Sequence, residues 1–105
     1  MNHEVQLHSE FGNCPCDGSK AYAFRIKEVD PYINLCERIE LNFTGIRTTN
    51  SSFVNALIAG LFEQNGAALL DKMVFRGCLP TVRVLVQAAI DLGLIKHQER
   101  LAQSC

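Results

Sequence analysis

The chain lacks any apolar stretch long enough to cross a bilayer: no window among its 105 residues approaches the ~20 that a spanning helix needs. Its opening, MNHEVQLHSE, has neither the cationic start nor the apolar core of a secretory signal. A soluble, unexported, cytoplasmic protein without membrane contact is expected. An excess of either charge is also missing, because ten Lys and Arg face eleven Asp and Glu for a formal net charge of -1. Proteins that grip a phosphate backbone carry a basic stripe or patch, so no nucleic-acid partner is expected. The five cysteines are an odd count that cannot complete an internal disulfide framework, and without an export signal the thiols are expected to stay reduced. Fixed-period repeats and low-complexity tracts are absent. So are a Gly-x-Ser-x-Gly elbow, a phosphate-binding Gly-x-x-x-x-Gly-Lys loop and a dinucleotide fingerprint. The three histidines, His3, His8 and His97, fall near the ends of the chain and not beside a central nucleophile. No enzyme and no cofactor are expected.

What the sequence does contain is material for a core. A hydrophobic share of 48% excludes intrinsic disorder, and a chain of this length holds one core and not two. A single domain over residues 1–105 follows.

Periodicity divides the chain into elements. Glu4 to His8 alternates, with Val5 and Leu7 on one side and Gln6 and His8 on the other, which suits a short strand. Phe11 to Ser19 then reads FGNCPCDGS, a loop. Asp17 or Ser19 can cap a helix over Lys20 to Val29 whose inward face is Ala23, Ile26 and Val29. Asp30-Pro31 interrupts it, either as a turn or as the start of a second short helix reaching Cys36. Arg38 to Phe43 is a strand, with Ile39, Leu41 and Phe43 facing one way and Arg38, Glu40 and Asn42 the other. Thr44-Gly45 ends it. After a loop over Ile46 to Asn50, a helix is expected from Ser51 or Ser52 to Gln64, closed by Asn65-Gly66. Phe53, Ala56, Leu57, Gly60 and Leu61 form its core stripe, and Val54, Ile58 and Phe62 form a second stripe about 100° round. That second stripe is either buried between the sheet and another helix or a docking surface. Lys72 to Arg76 reads as a third strand, Pro80 to Leu92 as a last helix with Val82, Leu85, Val86 and Ala89 inward, and the chain from about Ile95 as a polar tail or a final helix turn or two.

Strands alternating with helices predict an α/β domain, a small mixed sheet with helices packed against it. A parallel strand covered on both faces reads as a continuous apolar run. The strict alternation of Arg38 to Phe43 therefore predicts that one sheet face is better covered than the other.

The stretch Ile39 to Phe62 resembles the segment shared by STAS domains: an apolar strand, an Asp/Asn-Phe/Leu-Ser/Thr-Gly-Val/Ile step, then Ser-Ser opening a helix. Here the step is Asn42-Phe43-Thr44-Gly45-Ile46 and the helix opens at Ser51-Ser52. STAS domains include the antagonists of anti-sigma factors and the cytoplasmic domains of sulfate transporters. The Ser-Ser-Phe pattern looks most like a small STAS-like family of uncharacterised function, some members of which occur with histidine-kinase-type ATPase domains. In the antagonists the motif is Asp-Ser-Ser-Gly and its first serine is phosphorylated by the partner kinase. Matched here it falls on Asn50, Ser51, Ser52 and Phe53, so Asn50 stands for the acidic residue and Phe53 for the glycine.

The resemblance implies a non-catalytic regulatory module whose partner is a histidine-kinase-type ATPase or anti-sigma-like protein. Its docking surface would be Thr44, Gly45, Ile46, Thr49, Asn50 and Phe53, with Ser51 and Ser52 as the switch. On physical grounds alone, Ser51 or Ser52 also suits a plain N-cap. A second class is a small self-associating or inhibitory protein that uses exposed apolar helix surface to form a homodimer or bind a host protein. A third is a thiol or zinc protein built on Cys14 and Cys16, with His3, His8 and Asp17 near in sequence; the one-residue spacing departs from usual zinc pairs, and no bound metal is expected.

Overall fold

Alternation along the central strand at residues 38–42 decides where the sheet sits. The computed structural model describes residues 2–103. Three strands, β1 (Asn2–Gln6), β2 (Arg38–Asn42) and β3 (Met73–Arg76), pair in parallel in the order β1-β2-β3. The register sets Val5, Leu41 and Phe75 side by side, and likewise His3, Ile39 and Met73. Because successive residues alternate faces, these six share one face, and Val5, Ile39, Leu41 and Met73 on it are buried. The other face carries Glu4, Gln6, Arg38 and Arg76, all exposed, around a half-buried Glu40. Glu40 pairs with Arg76 at 3.0 Å and Arg38 at 3.6 Å.

The sheet is thus wholly parallel, not mixed. Both connections step in the same direction through helices, and right-handed crossovers of that kind place every helix on one side. The opposite face carries charged and polar side chains and a half-buried Val74, which is the uneven cover that β2 predicts.

Several helical elements differ from expectation. Where alternation predicts a first strand reaching His8, α1 (Leu7–Phe11) follows β1 directly and buries Leu7 completely. Asp17 caps α2 (Gly18–Glu28), its carboxylate accepting from the Ser19 amide at 2.9 Å. A single 3-10 turn at Asp30–Tyr32 resolves the Asp30-Pro31 interruption. The inward face of α2 is Ala21, Arg25 and Val29, while Ala23 and Ile26 are exposed. The Arg25 guanidinium displaces the expected face: it lies directly on Gly60, 3.6 Å from the Asp30 carboxylate and 5.0 Å above the Tyr22 ring.

The central rod covers residues 51–65 as α3 (Ser51–Val54), a π turn (Asn55–Ala59) and α4 (Gly60–Asn65). It is flanked by α2 and by α5 (Pro80–Gln103). Val54, Ile58 and Phe62 have no exposed surface, so the second apolar stripe is core and not a docking surface. The close crossing with α5 depends on Gly93, where a Cβ would press on the Ala59 carbonyl and come within 2.8 Å of Phe62 Cβ. Of the two readings of the segment from Ile95, polar tail or further helix turns, the structure has the second: it forms the last turns of α5 as far as Gln103. His97 Nδ1 donates to the Glu63 carbonyl at 2.7 Å and Arg100 pairs with the Glu63 carboxylate at 3.6 Å, which gives these polar residues a reason to stay helical. No helix of the described residues is long and apolar enough to cross a membrane.

Candidate functional site

In parallel α/β sheets the carboxyl ends of the strands and the amino ends of the following helices gather at one edge. Here that edge is built at the end of β2. The Phe43 amide still donates to the Arg76 carbonyl of β3 at 2.7 Å, which holds Phe43 in the sheet and buries its ring. The Asn42 side chain then accepts from the Thr44 amide at 2.9 Å, and the Ile46 amide closes back onto the Phe43 carbonyl at 2.9 Å. Gly45, with φ +95° at the third position of this turn, supplies the left-handed backbone that the turn requires.

From Arg47 onward the chain is held by a loop distant in sequence. The Arg47 and Thr48 amides donate to the Asn13 carbonyl at 2.8 and 3.4 Å. Thr49 Oγ1 donates to the Pro15 carbonyl at 2.7 Å and Asn50 Nδ2 to the Cys16 carbonyl at 3.2 Å. The loop carrying Cys14 and Cys16 is therefore a brace for the corner. Composition marks Phe11 to Ser19 as a loop, but nothing in its spacing points to a contact more than thirty residues away.

Helix α3 starts from this braced segment. Asn50 is its cap: Asn50 Oδ1 accepts from the Phe53 amide at 2.9 Å. Neither Ser51 nor Ser52 is the cap, contrary to one of the two sequence-based readings, because Asn50 stands one residue earlier with an equally suitable side chain. Both serines occupy the first helical positions and are exposed. Their amides there have no intrahelical acceptor, and they lie at the positive end of the helix dipole.

Of the expected docking residues, Thr44, Gly45 and Asn50 are exposed and Thr49 is half-buried. Ile46 and Phe53 are not available. Ile46 is 1% exposed and Phe53 fully covered, its ring edge-on to Phe11 at 4.9 Å between centroids. Both point inward because the turn at Gly45 and the first turn of α3 each need one apolar anchor into the core.

The sulfur and histidine positions do not converge. His3 Nε2 lies 2.8 Å from the Glu28 carbonyl with its ring stacked on Tyr32, whereas His8 lies against Gly45. Among the described residues no group of three or more His, Cys, Asp or Glu is placed to hold a metal ion. Cys14 and Cys16 are free and exposed, Cys36 is buried, and Cys78 is half-buried. Burial pushes the Cys78 thiol up, with Arg83 opposing that shift.

A family model described as a STAS-like domain of unknown function (DUF4325) matches residues 23–83, more than half of the chain and including the whole corner from Asn42 to Phe53. No curated protein and no solved structure matches.

Proposed function

Taking as premise that this chain belongs to the STAS-like DUF4325 family, we propose that it is a non-catalytic regulatory module that docks a protein partner at the Thr44 to Ser52 corner. The surface comprises Thr44, Gly45, Thr49 and Asn50, with Ser51 and Ser52 as the positions at which docking is switched. One observation supports this most directly: with Asn50 serving as cap, Ser51 and Ser52 are not needed in that role, and both are exposed, as are Thr44, Gly45 and Asn50. The resemblance to anti-sigma-factor antagonists supplies the class of partner, a histidine-kinase-type ATPase or anti-sigma-like protein.

A phosphate on Ser51 would sit at a helix N-terminus, where free amides and the dipole accommodate an anion. The fold would persist, and only the docking face would gain bulk and negative charge. Ser51→Asp is accordingly expected to weaken binding to a partner captured by pull-down, measured by titration, while the melting temperature stays within about 5 °C, since a surface charge near a dipole changes stability by only about 0.3–1 kcal/mol. Undiminished affinity in Ser51→Asp would remove Ser51 from the docking face.

Self-association is a second reading, moved to a different helix. The rod over residues 51–65 is covered, but Val84 and Ile95 on the outer side of α5 are 68% and 54% exposed, and at eleven residues apart they lie on one helix face. A homodimer through α5 predicts that the mass from light scattering doubles as concentration rises. A constant monomer mass excludes it.

A further inference from the structure

We propose that Cys14 and Cys16 form a reversible disulfide whose closure releases the brace on the corner, placing the docking surface under redox control. The proposal rests on the reading of that corner as a docking site and adds its regulation. The two thiols are free and exposed, and they line an open cleft of about 240 Å³ together with Glu10, Asp17 and Lys20. Cys36 is buried and Cys78 half-buried, so this pair is the accessible dithiol among the described residues.

The coupling lies in the backbone between the thiols. Pro15, the single residue separating them, is buried, and its carbonyl accepts from Thr49 while the next carbonyl, of Cys16, accepts from Asn50. A disulfide needs its two Cα atoms within roughly 4.4–6.8 Å and a torsion near 90° about the sulfurs. The backbone bends at Asn13 and Cys14, and a bridge across one residue closes an eleven-membered ring that holds the torsions on both sides of Pro15 to the narrow set compatible with this geometry. The proline ring holds φ near −65°, which leaves the change to the Pro15 ψ and the torsions of the two cysteines. Those torsions aim the Pro15 and Cys16 carbonyls. Changing them takes the Pro15 and Cys16 acceptors away from Thr49 and Asn50, the cap of α3, and a change at the Cys14 φ turns the Asn13–Cys14 peptide, whose carbonyl holds the Arg47 and Thr48 amides.

The oxidant is a low-molecular-weight disulfide of the glutathione class. One cysteine, as thiolate, attacks a sulfur of that disulfide to give a mixed disulfide and one released thiol. The second cysteine then attacks the protein sulfur of the mixed disulfide and releases the second thiol. The dithiol gives up two electrons and two protons, and both released small thiols carry them away. Excess small thiol reverses each step. Exposed bridges under strain belong to the labile, regulatory class and not to the structural one.

The test uses the full chain equilibrated with glutathione disulfide, followed by trapping, peptide mapping and amide exchange. A Cys14–Cys16 bridge is expected, with the Arg47 and Thr48 amides, now bonded to Asn13, exchanging roughly tenfold faster through local opening. Reduced glutathione should restore the slow rate, and Cys14→Ser should show no response. Failure of the bridge to form in excess glutathione disulfide, or a bridge that leaves exchange at Arg47 and Thr48 unchanged, overturns the proposal. Neither readout involves a partner. If Ser51→Asp in the reduced protein leaves binding intact while exchange still responds, the docking reading fails and the thiol device stands. If Ser51→Asp weakens binding while exchange does not respond, the thiol device fails and the docking reading stands.

Discussion

Gly77→Ala is expected to destabilise the protein by about 2–5 kcal/mol, a large share of the 5–15 kcal/mol typical of a small domain. Gly77 ends β3 with φ +70°, and a non-glycine residue in the left-handed region costs about 1–2 kcal/mol by itself. The rest comes from contact. A Cβ on Gly77 would strike Thr44 Oγ1 and lie 2.7 Å from the Thr44 amide nitrogen and 2.9 Å from its Cα. Backbone cannot swing aside as a long side chain can, so the first residues of the corner would have to move away from the end of β3. Gly12 offers a control for the contact, because its φ is also positive, +78° with ψ −164°, but nothing lies within 4 Å of its Cβ position. Gly12→Ala should lose only the conformational part, about 1–3 kcal/mol. Urea unfolding of both variants reads the difference as a larger fall in midpoint for Gly77→Ala at unchanged slope. Equal midpoints would mean that the approach of β3 to Thr44 contributes nothing, and that the corner is set by its own turn alone.

The same approach shows why the corner is only partly legible in the sequence. Its local parts are readable: the alternation of Ile39, Leu41 and Phe43, the Thr44-Gly45 turn, and a helix opening near Ser51 each follow from signals within a few residues. The parts supplied from elsewhere are not. Gly77 on Thr44, His8 on Gly45, and the Asn13, Pro15 and Cys16 carbonyls on residues 47–50 join segments that no periodicity links. The inward face of α2 is misplaced by periodicity for a related reason. A count of apolar positions passes over an arginine, yet Arg25 is buried, its guanidinium lying on Gly60 and above the Tyr22 ring, with Nε paired to Asp30 by charge at 3.6 Å and by no hydrogen bond. The full extent of α5 is hidden because its last turns are held by His97 and Arg100 on Glu63 and not by an apolar stripe. Parallel pairing is masked because β2 departs from the rule that buried parallel strands are apolar on both faces. Glu40 with Arg38 and Arg76 satisfies the open side instead.

The division of labour among Asn50, Ser51, Ser52 and Phe53 leads to the second large effect. Phe53→Ala is expected to cost about 3–5 kcal/mol, the usual range for emptying an aromatic site in a core. Phe53 has no exposed surface, and its ring begins a chain of edge contacts, to Phe11 at 4.9 Å and from Phe11 to Phe24 at 5.1 Å. Removing the first ring of that chain loosens α1 and α2 together, because Phe11 belongs to one and Phe24 to the other. Exposed Ser52→Ala, one residue away, should stay within about 0.5 kcal/mol of the parent. A surface hot spot at Phe53 would produce the reverse order, with stability kept and affinity lost. Chemical denaturation of the two variants beside partner titration separates these cases: a Phe53→Ala protein as stable as its parent would show that the ring is not anchored inside, and the helix start on which the switch depends would have to be rebuilt around an outward-facing aromatic.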